Sequence, residues 1–248
     1  MNIKKRKISI MILLLFSAAL LIPIGCVWFR TSFGRIGELL GSTSWFYPKL
    51  GISLLYAGAI ALGGTLVAFI AAFALVNGHF RFKNAILFLL MLLMLMPLQV
   101  TLLPNYIGLR DLHLLDTAWA LILPMVCSPF AFFLMYQYMN GIPEECIEAA
   151  RLETGSVAVI LSRIMLPQMK GMVAAVFLFL FAEGFNMVEQ PLYYVKKEAL
   201  QPLSVVTAST VNGDVGVACT VGIVCLVPIT ILYILFDRVI SVNNGKVA

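Results

Sequence analysis

The sequence predicts an all-α, polytopic membrane protein with six transmembrane helices, on three observations. Of its 248 residues, 61% are hydrophobic and 12% are charged, whereas soluble domains run at about 45–50% apolar and about 25% charged. Mean hydropathy is +0.99. Uncharged stretches long enough to cross a bilayer core about 30 Å thick, at a rise of about 1.5 Å per residue, recur along the chain. A soluble core of this size would lack the charges to cover its surface. These features exclude a soluble enzyme, a nucleic-acid-binding module and a disordered chain.

The spans are placed at 8–29, 53–77, 85–107, 117–138, 171–190 and 215–236 of a single domain covering 1–248. The first, Ile8–Phe29, follows the basic run Lys4-Lys5-Arg6-Lys7. It is too long for the apolar region of a signal peptide, and Pro23 stands where a lipoprotein cleavage site takes an aliphatic residue, so the segment is expected to be retained. The second carries Gly64, Ala68 and Ala72 at four-residue spacing, with Ala57, Ala61 and Thr65 alongside. Small residues in that register form a helix-packing face in lipid. The third contains Met91, Met94 and Met96, read as adaptable packing rather than metal ligands. Pro124 and Pro129 in the fourth are either a hinge or ordinary kinks. The fifth is uncharged only to Ala182 and then carries Glu183 and Glu189; the segments on either side need it to return the chain across the membrane.

Lysine and arginine set the orientation. With a cytoplasmic N-terminus, the inner segments hold Lys4, Lys5, Arg6, Lys7, Arg81, Lys83, Arg151, Arg163, Lys170, Arg238 and Lys246. The outer ones hold Arg30, Arg35, Lys49, Arg110, Lys196 and Lys197. The inner excess places both termini in the cytoplasm. The net charge of +5 is the excess expected of that side rather than a sign of an acidic soluble partner.

No phosphate-binding loop, HExxH or Gly-x-Ser-x-Gly pattern occurs, and His79 and His113 fall on opposite sides of the membrane. No catalytic residue, metal ligand or bound cofactor is expected. Cys26, Cys127, Cys146, Cys219 and Cys225 lack CxxC spacing and read as small buried hydrophobes.

The longest inner connection, 140–170, carries the sharpest pattern. Asn140-Gly141 breaks the fourth span, and Pro143-Glu144-Glu145 opens a helix, proline at its first position and two acids at the positive dipole end. That helix, Pro143–Glu153, is expected to end at Thr154-Gly155 with a left-handed glycine. Ser156 then caps a second helix, Val157–Leu166, running to Pro167. Glu148-Ala149-Ala150 followed by Ile164-Met165-Leu166-Pro167 resembles the EAA loop of permease subunits of binding-protein-dependent ABC importers. The pattern departs at one place: Thr154 occupies the usual glycine position and Gly155 comes one residue later. Met96-Pro97-Leu98-Gln99-Val100, Leu103-Pro104, Leu121-Ile122-Leu123-Pro124, Phe185-Asn186 and Pro191-Leu192 are similar to the carbohydrate-uptake (MalG-like) class, in which the Phe185 position is usually Trp.

The resemblance implies the ABC importer permease fold and an assembly with a second homologous permease, two ATPase subunits and an extracytoplasmic solute-binding protein. ATP and Mg would sit on the ATPases, not on this chain. The location implied is the cytoplasmic membrane of a prokaryote, in contact with lipid, with no nucleic acid. The cargo implied is a carbohydrate, an oligosaccharide or glycoside, carried by alternating access; the alternative is a non-sugar solute such as glycerol phosphate or a polyamine. A polytopic membrane enzyme is the rival from another class, and the chain lacks the clustered carboxylates or histidines it would need. Glu148, Ala149, Ala150, Gly155, Leu166 and Pro167 would couple to the ATPase. The alanines would allow close backbone approach, and Glu148 would offer a charge to a basic partner group. A surface-lying amphipathic helix fits poorly, since Glu144, Glu145, Glu148 and Glu153 would face anionic headgroups.

Glu183, Asn186 and Gln190 are spaced to lie within about 60° on one helical face in the outer half of span five. A carboxylate there costs about 2.5–3.5 kcal/mol unless it meets water or a partner. The stripe either lines a transport path or forms an interhelical hydrogen-bond cluster. The segment 185–212, with 30–49, is read as the surface facing a solute-binding protein, and the tail 241–248 as polar and small.

Overall fold

The computed structural model describes residues 41, 45–78, 80–210 and 215–244. The expected first span, the Lys4–Lys7 run, Cys26, His79, most of the first outer loop, residues 211–214 with the Asn212-Gly213 turn, and the last four residues of the tail lie outside them. Every regular element among the described residues is a helix.

Helix α1, Phe46–Asn77, is the axis of the bundle, about 48 Å long at the α-helical rise. Its buried face includes Ala57, Ala61, Gly64, Ala68 and Ala72, the small residues the spacing marks. They let neighbouring backbones close in. A Cβ on Gly64 would stand 2.7 Å from Leu180 Cδ1 and 3.4 Å from the Val126 carbonyl oxygen. Most of the bundle is assembled on this face.

The stretch read as a single third span is two helices, α2 (Lys83–Leu95) and α3 (Leu98–Asp111), bent by 107°. The cause lies at Met96-Pro97. Proline supplies no N–H and pushes its predecessor out of the helical region; Met96 is extended with ψ 125° and Pro97 with ψ 146°. Helices α4 (Trp119–Val126) and α5 (Pro129–Asn140) together make one apolar span of 22 residues. Cys127-Ser128 interrupts it. The Ser128 hydroxyl accepts from the Ala131 amide at 3.3 Å, so Pro129 opens a helix rather than kinking one, and Pro124 sits within α4.

The connection that follows holds α6 (Glu144–Glu153) and α7 (Val157–Gln168). Three local expectations are corrected. Pro143 precedes α6 in an extended conformation instead of occupying its first turn. The helix ends on Thr154, at φ −149°, ψ 133°, and no described glycine is left-handed. The turn is held by the Thr154 hydroxyl, which accepts from the Ser156 amide at 3.2 Å, while Ser156 makes no cap of its own. An extended residue with a side-chain acceptor thus replaces the glycine stop. Helix α7 runs on past Leu166 through Pro167, with wider π-type hydrogen bonding over Ile160–Met165, which adapts the ladder to a residue lacking a donor.

Helix α8, Lys170–Asn186, turns 85° from α7 and packs along α1. It stops four residues short of the expected end. Then come α9 (Glu189–Tyr194), a 3-10 turn at Glu198–Leu200, α10 (Leu203–Thr210) and α11 (Val215–Asn244). The apolar window of α11 is only 11% buried, leaving Leu226, Ile231, Ile234 and Leu235 exposed.

The two ends of α1 carry different structures. Near its start, Tyr56 donates to the Leu200 carbonyl at 3.1 Å, Ser53 Oγ accepts from the Leu203 amide at 2.8 Å, and the Lys49 ammonium donates to the Glu198 carbonyl. Asp116 clasps the same end. At φ 60° it adopts the left-handed form that aspartate tolerates. Its amide donates to the Tyr194 carbonyl at 3.0 Å, and its carboxylate accepts from the amides of Lys196 and Lys197. The Tyr194 hydroxyl, whose pKa burial raises against a lowering by Asn105, donates to the Leu102 carbonyl at 3.1 Å. Asp116→Ala removes the acceptor and leaves alanine at positive φ. Limited trypsin digestion is expected to cut after Lys196 or Lys197 several-fold faster in that variant, since charged hydrogen bonds are worth about 1.5–3 kcal/mol. Equal rates would show the clasp to be idle.

Candidate functional site

Three chain breaks converge on one cleft. Met96 and Leu98 come from the α2–α3 break, Cys127 and Ser128 from the α4–α5 break, and Met187 and Val188 from the α8–α9 break. The cleft holds about 680 Å³. In a membrane, interrupted backbone is tolerated where it lines a cavity or is covered by protein, and broken helices commonly mark a transported solute's route. The level of the cleft along the bundle follows from α8: Glu183 lines it, and the adjoining Gly184 sits against Ala57 and Ile60 in the first half of α1.

Its polar groups are few. Glu183 and Glu189 line it together with Gln190, Asn105, Thr101 and Ser128. Gln99 donates to both Glu189 oxygens, at 3.1 and 3.3 Å. Gln190 is buried, and its Oε1 has no hydrogen-bond partner. A buried amide oxygen without a donor carries a desolvation cost of about 1–3 kcal/mol.

The expected stripe is rearranged. Because α8 ends at Asn186, Gln190 lies on α9 and not on a continuation of the same helical face. Glu183 and Gln190 still line the same cleft, from either side of the break. Asn186 does not join them: its amide donates back to the Ala182 carbonyl at 2.9 Å and it is absent from the cleft lining. Glu189, Asn105 and Gln99 are additions that spacing did not point to, although Gln99 stood in the Met96–Val100 motif. The cysteines also differ from the buried-hydrophobe reading. Cys127 and Cys146 are exposed, Cys219 and Cys225 half-buried, and all four are free thiols. Cys127 is uncovered because it occupies a helix break and lines the cleft.

At the far end of α1, α6 presents two faces. Ile147 and Ala150 are buried, at 4% and 3% exposure, in the main core. Ala150 therefore makes room for the chain's own packing rather than for a partner's backbone. Glu145, Glu148 and Arg151 are exposed. Leu152 is 91% exposed, a bare leucine between Arg151 and Glu153 that the motif alone did not single out. Ala149 lies in the same helix. Gly155, Leu166 and Pro167 are exposed nearby in the chain. Glu148 and Arg151 also border a recess of about 460 Å³ with Lys83, Asn77 and Asn140, and the Lys83 ammonium stands 5.6 Å from the centre of the Tyr136 ring.

Residues 64–246 match the family described as binding-protein-dependent transport system inner membrane component. The sn-glycerol-3-phosphate transport system permease protein UgpE of Agrobacterium fabrum is 35% identical over 140 residues, 56% of this chain and 50% of that protein. UgpE of Rhizobium meliloti is 36% identical over 134 residues, 54% and 48% of the two chains. The arabinooligosaccharides transport system permease protein AraQ of Halalkalibacterium halodurans is 28% identical over 198 residues, 79% and 70%. The chain spans about half the length of the two UgpE relatives. In fold it is similar to a crystal structure of a bacterial ABC transporter involved in the import of the acidic polysaccharide alginate, with TM-score 0.78 and 18% identity, covering 96% of this chain and 98% of that one. With the matched residues taking in the cleft, the two-faced helix and the closing spans, the chain belongs to the binding-protein-dependent transport system inner membrane components, the permeases of ABC importers.

Proposed function

We propose that this chain forms half of the membrane pathway of an importer and passes a carbohydrate, an oligosaccharide or glycoside, through the cleft by alternating access. A second homologous permease supplies the other half. Two ATPase subunits, carrying ATP and Mg, drive it, and an extracytoplasmic binding protein delivers the solute to the end bearing α9 and α10. Both termini lie in the cytoplasm of a prokaryotic cell, as the lysine and arginine bias supports. The observation that carries the reading is the two-faced α6: an inner face locked into the bundle core and an outer face offering Glu148 and Leu152. Such a helix passes a partner's displacement to the spans as a rigid-body movement. The UgpE relatives raise glycerol phosphate as the alternative cargo, a choice on which the charge of the cleft bears.

The test is co-purification. Solubilised in mild detergent, the full transporter is expected to retain its ATPase. Glu148→Arg reverses the charge at the contact and is expected to cut retention at least about tenfold, the change produced by about 1.4 kcal/mol. Undiminished retention by that variant would sink the coupling assignment.

A further inference from the structure

We infer that the cleft selects against anions, and that the transported solute is rich in hydroxyl groups and bears no phosphate or carboxylate. This rests on the cleft being the solute's route, as proposed above, and deepens it by naming the charge class of the cargo. Among the described residues lining the cleft none is lysine, arginine or histidine, while Glu183 and Glu189 both line it. A phosphate or uronate entering there would meet two carboxylates on this chain's side of the cleft, with no cation among the described lining residues to offset them. Sites built for phosphate set arginine or lysine beside helix N-termini; here α3, α5 and α9 begin at the cleft, but the charged side chains among the described lining residues are the two glutamates.

The second observation is Gln190. It is 8% exposed, it lines the cleft, and its Oε1 lacks a donor. Together with the carboxylates it makes an acceptor-rich wall. A hydroxyl-bearing solute brings donors to such a wall; a phosphate brings only acceptors and more negative charge. This separates the chain from the cargo named for both UgpE relatives and from the acidic polysaccharide of the structural neighbour.

Cys127 is a native reporter of the field, exposed within the same cleft. In full-length chain carrying Cys127 as its sole cysteine, within the assembled transporter, its labelling by a cationic trimethylammonium-ethyl and an anionic sulfonato-ethyl methanethiosulfonate is compared. Each rate is normalised to that of a small thiol in solution. The cationic reagent is expected to be favoured at least about tenfold, the low end for a focused field, and Glu183→Gln with Glu189→Gln should bring the ratio close to one. A wild-type ratio at or below one, or a ratio the double substitution leaves unchanged, overturns the proposal. Cys127→Ala sets the background, and ATPase retention reports that the variants assemble. Protection supplies a second readout: neutral oligosaccharides and polyols should slow labelling at lower concentration than glycerol 3-phosphate or galacturonate, and the reverse order overturns the charge assignment. Loss of the ATPase from the wild-type preparation would defeat the coupling assignment instead, while the reagent ratio would still read the cleft's charge.

Discussion

Gly184→Leu is expected to yield no monodisperse protein. A Cβ at Gly184 would lie 3.2 Å from the Ala57 Cα, 3.0 Å from Ile60 Cδ1 and 3.4 Å from Ile60 Cβ. One of those neighbours is backbone of the central helix, so it cannot rotate away. Alanine already forces α8 off α1, at about 1–3 kcal/mol for an overpacked contact. Leucine adds three further carbons where none fits. Gly64 makes an instructive contrast, because the nearest atom to its hypothetical Cβ is the end of the Leu180 side chain, which can change rotamer. Size-exclusion in detergent should therefore rank wild type, Gly64→Ala, Gly184→Ala and Gly184→Leu in falling yield. Gly58→Ala, with nothing within 4 Å, should match wild type. A folded Gly184→Leu protein would show that the α1–α8 contact is not the organising one.

The second large effect separates the two faces of α6. Leu152→Asp places a carboxylate on a side chain that is already 91% exposed, so the chain is expected to fold while losing both the ATPase and uptake. Ile147→Asp puts a carboxylate into the core at a position only 4% exposed. An unpaired charge is not tolerated there, and the helix is expected to detach its inner face from the bundle. On the proposed coupling, that variant keeps some ATPase bound through the outer face, yet uptake falls to background because movement no longer reaches α8. Co-purification and transport measured on the same preparation distinguish the cases. Identical behaviour of the two variants would mean that the faces are not functionally separate.

Much of this was legible in the residues. The four-residue spacing of Gly64, Ala68 and Ala72 identified the packing face of α1 because close approach between helices in lipid depends on side-chain size, which sequence states directly. The boundaries of α6 were legible to within a residue, since Pro143 and the run past Glu153 are local signals. The wrong details were equally local. A left-handed glycine and a threonine acceptor can both end a helix, and only three-dimensional packing decides between them. The stripe Glu183–Asn186–Gln190 assumed an unbroken period through residue 190, whereas α8 stops at Asn186; Gln190 lines the same cleft as Glu183 from beyond a break that periodicity does not register. Asn105 reaches the same cleft from α3, far off in the chain, and no spacing rule links positions on separate helices; Glu189 stands beside Gln190 on α9, off the assumed stripe.

The bend at Met96-Pro97 bears on how the molecule is made. Helix α2, at 13 residues, is about 20 Å long and falls short of the hydrocarbon thickness, although the uncharged sequence around it is long enough to be accepted by the insertion machinery as one continuous segment. Lateral entry and final shape are therefore separate events for this piece. The hydrogen bonds that tie the α3 arm to Tyr194 and Glu189 can form only once α9, synthesised later, has been made. A nascent chain halted before residue 189 would carry a segment inserted in one geometry and destined for another, and its maturation should lag behind its integration.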